Sequence, residues 1–256
     1  MKKKLPLYLL AILFLCIILF CAWQLFGIYF EYHQGESTYD DLTQYAVTPS
    51  PVPTAELPPE ATPVPDDTVW PQVDFDALKA INEDVRAWIY LEDTHINYPV
   101  VQGTDNDYYL NRLYNGKSNG AGSIFMDFRN SGKFTDRNSI LYGHRMNNGT
   151  MFADLSNYSN REFFDEHPYI LIITPEAKYK AEVFSAYVAN TSYNSWDTVF
   201  DGDEKYMNWL DSIQSRSYFS RDVEFSPESR VVTLSTCTYE FENARFIVHA
   251  ILHEVE

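Results

Sequence analysis

Residues 230–255 read RVVTLSTCTYEFENARFIVHAILHEV. Two runs rich in Val, Ile, Leu, Thr and Phe flank the polar segment TYEFENA, the composition of two β-strands and their loop. A loop of that length lets the strands pair as antiparallel neighbours, with Cys237 ending the first and Arg245 opening the second. On alternation, Arg245, Ile247, His249 and Ile251 share one face, opposite Phe246, Val248, Ala250 and Leu252. A guanidinium level with apolar residues needs an ion pair or access to a pocket. Strand-like runs recur upstream in INYPVVQ, GSIFMDF, SILYGH, YILIITP and KYKAEVFSAYV, with Gly- and Asn-rich turns in YNGKSNGAG and NSGKF. Helical spacing is rarer. VDFDALKAINEDVRAWIYL places Phe75, Leu78, Ile81, Val85 and Trp88 on one helical face behind an Asp74 cap, and Asn82-Glu83-Asp84 divides it into two short helices. A further helix is expected between Asp203 and Ser217, with Tyr206, Trp209, Leu210 and Ile213 on its buried face. The pattern is mainly β, a barrel or sandwich carrying helical additions.

This region occupies residues 73–256, about the size of one domain with a sizeable core. What precedes it is different in kind. Lys2, Lys3 and Lys4 lead into the uncharged run from Leu5 to Phe30, longer than the roughly 20 apolar residues that span a bilayer. The run is bulky, with Trp23, Tyr29 and Phe30 at its far end, unlike the short core and small-residue cleavage site of a secretory signal. Residues 1–31 are therefore expected to be an uncleaved signal anchor, a cleaved signal being the alternative. The positive-inside tendency places the lysines in the cytoplasm and the rest outside the cell. Residues 32–72 follow as an extracellular linker that holds eight of the thirteen prolines. Extended polyproline geometry over such a length carries a domain up to ~120 Å from the membrane.

The formal net charge is −17, and beyond the lysine tip 16 basic residues face 36 acidic ones. That balance argues against nucleic-acid binding and electrostatic docking on anionic lipid. It says little about fold.

Of three cysteines, Cys16 and Cys21 fall in the apolar run, and Cys237 stands alone outside it. A free cysteine is more often an inert buried hydrophobe than a nucleophile. In an oxidising setting, though, an unpaired thiol is a liability that argues for a purpose. A nucleophilic thiol needs a base or cation beside it. His33 is in the linker, while His95 and His167 read as surface residues. His249 lies roughly 13 Å along the strand from Arg245, and His253 lies further still. His144 is placed differently: SILYGHRMNNGTMFADL runs from an apolar strand through Gly143 into a polar loop, where an imidazole can face a cleft. One cysteine and scattered histidines give no metal-ligand spacing.

LYGHRMNNGTMFADL and TLSTC followed by Arg245 resemble the two signature blocks of sortases, the membrane-anchored cysteine transpeptidases of Gram-positive bacteria. The helical lead-in, the helix before the cysteine strand, and the spacing of Cys237 and Arg245 resemble class B, over the whole of residues 73–256. The resemblance implies an eight-stranded β-barrel with N-terminal helices and an extra helix before the cysteine strand. It maps a catalytic triad onto His144, Cys237 and Arg245, and substrate-groove positions onto Asn106, Leu110, Tyr142, Ser235 and Thr236. Class B members often carry an acidic residue after the cysteine, where this chain has Thr238. No cofactor and no metal are implied.

The implied reaction is cleavage of a C-terminal sorting motif of a secreted protein after its threonine, through a thioacyl-enzyme. The acyl group then passes to an amine of peptidoglycan or its lipid-linked precursor. Alternatives are pilin polymerisation through a lysine amine and a non-catalytic sortase-like surface domain. A papain-like protease would show its cysteine early and its histidine later, the reverse of the order here. A surface adhesin would end in a sorting motif, an apolar tail and basic residues, whereas this chain ends ARFIVHAILHEVE.

Overall fold

The computed structural model describes residues 5–47, 68–237 and 243–255. The chain forms two compact units, Met1–Asp41 and Leu42–Glu256. Among its described residues the first is almost wholly one helix, α1 (Leu5–Asp40). From Tyr8 onward its most apolar stretch has a mean hydropathy of 2.7 and is wholly unburied, so the helix is long and apolar enough to cross a membrane. Of the expected linker, residues 32–40 continue this helix. Two of its residues, β1 (Ala46–Val47), pair with β2 (Gln72–Val73), and the proline-rich stretch 48–67 lies outside the described residues.

In the second unit, α2 (Phe75–Ile81) starts where expected, with the Asp74 carboxylate accepting from the Ala77 N–H at 2.9 Å. The second short helix is not there. Asn82 leaves the helix in an extended conformation and its side-chain oxygen accepts from the Asp84 N–H, a turn that redirects the chain. Val85–Tyr90 is strand β3. Its residues Val85, Ala87, Trp88 and Ile89 are all buried, so the alternation that marks a half-exposed strand is erased. The three-residue spacing of Val85 and Trp88 then passes for helical periodicity.

The remaining strands follow the expected runs: β4 (Asn97–Val101), β5 (Ile124–Met126), β6 (Asn138–Tyr142), β7 (Tyr169–Ile173), β8 (Lys178–Ala189), β9 (Val231–Cys237) and β10 (Arg245–Val255). With β3 they close an eight-stranded barrel in the order β10-β8-β7-β3-β4-β5-β6-β9. Closure decides between barrel and sandwich. Only the β4–β5 and β6–β9 pairs are parallel, and β9 and β10 are the antiparallel neighbours expected. Between β6 and β7 lies the short α3 (Arg161–Glu166), and between β8 and β9 the expected extra helix, α4 (Asp203–Ser215). Tyr206, Trp209, Leu210 and Ile213 of α4 pack on Phe184, Val231 and Ile251 of the barrel. The parallel β6–β9 pair matters most for chemistry. It sets the end of β6 beside the end of β9, and so residues 142–144 beside residues 235–237.

Candidate active site

The register of three strands builds one wall of the site. Tyr142 lies opposite Ser235 across the β6–β9 pair, and Cys237 lies opposite Arg245 across β9–β10. The Gly143 N–H continues the first pairing by donating to the Ser235 carbonyl at 3.2 Å. Gly143 is required here for closeness: a Cβ would stand 2.5 Å from Ile124 Cδ1 and 2.7 Å from Phe152 Cδ2. The chain passes tight against that wall and releases His144 into the loop.

The opposite wall comes from the segment before β5. Leu110 sits in the 3-10 turn Tyr108–Asn111, and its carbonyl oxygen lies 2.6 Å from His144 Nε2. A carbonyl only accepts, so Nε2 carries a proton and the ring is held in one orientation. Gly122 makes room for this contact, at φ +61° with the Leu110 carbonyl 2.5 Å and His144 Cδ2 3.0 Å from where a Cβ would be.

A cavity of about 200 Å³ is lined by Asn106, Leu110, Phe125, Tyr142, Gly143, His144, Ser235, Thr236, Cys237 and Arg245. All eight residues singled out in the sequence meet in it. Cys237 is half-buried with no disulfide. Arg245 donates to the Ala244 carbonyl at 3.0 Å and, among the described residues, has no carboxylate partner. Among the described residues, then, its fork of donors is not consumed by an ion pair. Thr236 Oγ1 is buried and, among the described residues, without a hydrogen-bond partner. Thr238 lies outside the described residues.

The other histidines have structural settings. His95 Nδ1 is 2.9 Å from Asp154 on the surface. His167 follows α3 and stacks on Phe163. His249 is fully buried between Thr233 and Tyr187.

Behind the cavity lies a polar cluster that the sequence reading passed over. Asp127, directly after β5, is wholly buried and paired with Arg129. Its carboxylate also accepts from Tyr142 Oη at 3.0 Å and from Asn106 Nδ2 at 3.1 Å. Burial works to raise the Asp127 carboxyl, but the hydrogen bonds and charge of Arg129 and the Tyr142 hydroxyl outweigh it and hold it below the usual range. Burial, with the charge of Asp127, pushes the Tyr142 phenol up. The available signal was local: MDFR, an acid ending an apolar strand with an arginine two residues on. Phe125 was legible by alternation from Asp127.

A model of the sortase domain matches residues 89–253. The chain is 34% identical over 258 residues to the Sortase B of Staphylococcus aureus, with the whole of both chains covered. Sortase B from B. anthracis in complex with AAEK1 superposes with a TM-score of 0.74 at 35% identity, covering 89% of this chain and 100% of that one. A Staphylococcus aureus sortase B–substrate complex superposes with a TM-score of 0.68 at 38% identity, covering 71% of this chain and 85% of that one.

Proposed function

The chain belongs to the sortase family, class B, and on that premise we propose that it anchors secreted proteins to the cell wall, with Cys237, His144 and Arg245 as its catalytic residues. It is a sortase-type cysteine transpeptidase. One observation carries the residue assignment. Residues drawn from segments as distant as Asn106 and Arg245 line a single cavity around the one cysteine outside the apolar helix.

The Cys237 thiolate attacks the carbonyl carbon of the threonine in a sorting motif. Arg245 donates to the oxyanion that forms, where a fork of N–H groups serves better than a point charge. As the carbon–nitrogen bond breaks, His144 as imidazolium gives its proton to the leaving amine, and a thioester remains on Cys237. Neutral His144 then takes a proton from an incoming amine, which attacks the thioester. A new amide forms and the thiolate leaves. Asn106, Leu110, Tyr142, Ser235 and Thr236 bind the motif along the groove. The solved substrate complex of the staphylococcal relative supports a peptide substrate. The acceptor is a peptidoglycan amine, and α1 anchors the enzyme with Lys2–Lys4 inside and residues 73–256 outside.

The test is cleavage of fluorogenic peptides of xPxTx type by the full chain in detergent micelles, with and without amine acceptors. Turnover should be lost in Cys237→Ala and His144→Ala. Arg245→Lys should cut kcat/KM about 10²- to 10³-fold, the size of losing an oxyanion donor. Full activity in either alanine variant would sink the assignment.

A further inference from the structure

We infer that Asp127 is a positioning residue for the peptide substrate: its buried carboxylate fixes which polar atoms Asn106 and Tyr142 present to the groove. The inference rests on the proposed peptide transfer and extends it to residues behind the groove wall.

A carboxylate removed from water is costly unless its lone pairs are filled. Asp127 fills them from three directions. Oδ1 accepts from the Arg129 backbone N–H at 2.9 Å and from Arg129 Nε at 2.8 Å. Oδ2 accepts from Arg129 Nη2 at 2.8 Å, Tyr142 Oη at 3.0 Å and Asn106 Nδ2 at 3.1 Å. Arg129 alone would satisfy a carboxylate that merely closed the turn after β5. Instead Oδ2 gathers two groove residues from two other segments of the chain.

The polarity of the groove follows. Asn106 Oδ1 accepts from the Phe128 N–H at 3.1 Å while Nδ2 donates to Asp127. A flipped amide would set oxygen against carboxylate and NH₂ against N–H, so the flip is forbidden. The second hydrogen of Nδ2 remains for a ligand. Tyr142 has one hydroxyl proton, and Asp127 takes it, so Oη offers the groove only an acceptor. One fixed donor and one fixed acceptor suit the C=O and N–H of an extended peptide. Arg129 carries the same support further. It donates to the Trp196 carbonyl at 3.3 Å, and the Trp196 indole donates to Ser235 Oγ at 3.2 Å, a third groove residue.

Asp127→Asn is the discriminating variant. Whichever way its amide turns, the NH₂ meets donors: the Arg129 N–H and Nε at one position, or Arg129 Nη2 and Asn106 Nδ2 at the other, where Tyr142 must also turn its hydroxyl proton away. With the full chain in micelles and an xPxTx peptide that the wild type cleaves, KM should rise about tenfold while kcat stays within about twofold. Alkylation of Cys237 by iodoacetamide, followed by mass spectrometry, should keep its wild-type rate. Combining Asp127→Asn with Tyr142→Phe should add little to either alone, because Asp127 acts through Tyr142. If Asp127→Asn fails to fold, Tyr142→Phe and Asn106→Ala test the same polarity, each raising KM. Wild-type KM in the folded variants, or a loss confined to kcat, would overturn the inference and leave the proposed reaction standing. A wild-type enzyme that cleaves no such peptide would overturn both.

Discussion

His249 shows how one buried side chain ties stability to pH. Thr233 Oγ1 gives its proton to Asn138 Oδ1 at 2.7 Å and so accepts from His249 Nδ1 at 2.8 Å. His249 Nε2 is then left to accept from the Tyr187 hydroxyl at 3.0 Å. The neutral imidazole completes every bond in this chain, and a second ring proton would meet a hydroxyl that already donates. Burial, reinforced by the charge of Arg216, lowers the imidazole from 6.5 to about 3. Between those values the unfolded chain binds a proton that the folded protein refuses. Stability from this group is therefore complete above about pH 6.5 and lost as pH falls towards 3, by up to about 1.4 kcal/mol per pH unit. Urea unfolding at pH 7 and pH 5 should differ by about 2 kcal/mol from this group. The difference should shrink by that amount in His249→Gln, and an unchanged difference would refute the assignment. The distance of His249 along the strand from Arg245 excludes it as the base for Cys237. Its place in the core could not be read from alternation, which put it on the same face as Arg245.

At the scale of elements, the site depends on the tight approach of the turn before β5 to the loop after β6. Gly122, at φ +61°, is the point of closest approach to the Leu110 carbonyl that holds His144. Gly122→Ala would add both backbone strain and a methyl driven against that oxygen. The fold should lose about 1–3 kcal/mol in urea unfolding. Peptide cleavage should fall by an order of magnitude or more as the imidazole loses its fixed orientation. A variant with wild-type kcat would show that this contact does not govern catalysis. Elements with a strong local signature were legible: α4 keeps the face of Tyr206, Trp209, Leu210 and Ile213, and β9 and β10 pair around their polar loop. Strand β3 was not. It pairs with β4 and β7, and Trp88 and Ile89 are buried on its opposite faces; pairing partners as distant in sequence as β7 leave no local mark on VRAWIY.

At the scale of the molecule, α1 and the unit Leu42–Glu256 are separate compact bodies with opposite demands on solvent. A chain beginning at Leu42 should stay in the aqueous phase of a Triton X-114 partition, and the full chain should enter the detergent phase. The shortened enzyme should cleave a soluble peptide with kcat/KM within a few-fold of the full chain. Co-partitioning of the two forms would show that α1 is not the anchor. The sequence by itself determined the long apolar helix near the N-terminus, the β character of the rest, and the pairing of Cys237 with Arg245, because each is carried by contiguous residues through hydropathy or period. It also singled out eight of the ten residues that line the cavity, through a resemblance to a family. Only the tertiary structure decided that the sheet closes through β3. Only it decided that Gly122 and Leu110 hold His144, and that Asp127 stands behind Asn106 and Tyr142. Those contacts join segments far apart in the chain, and their energy lies in burial and hydrogen-bond geometry that no local spacing encodes.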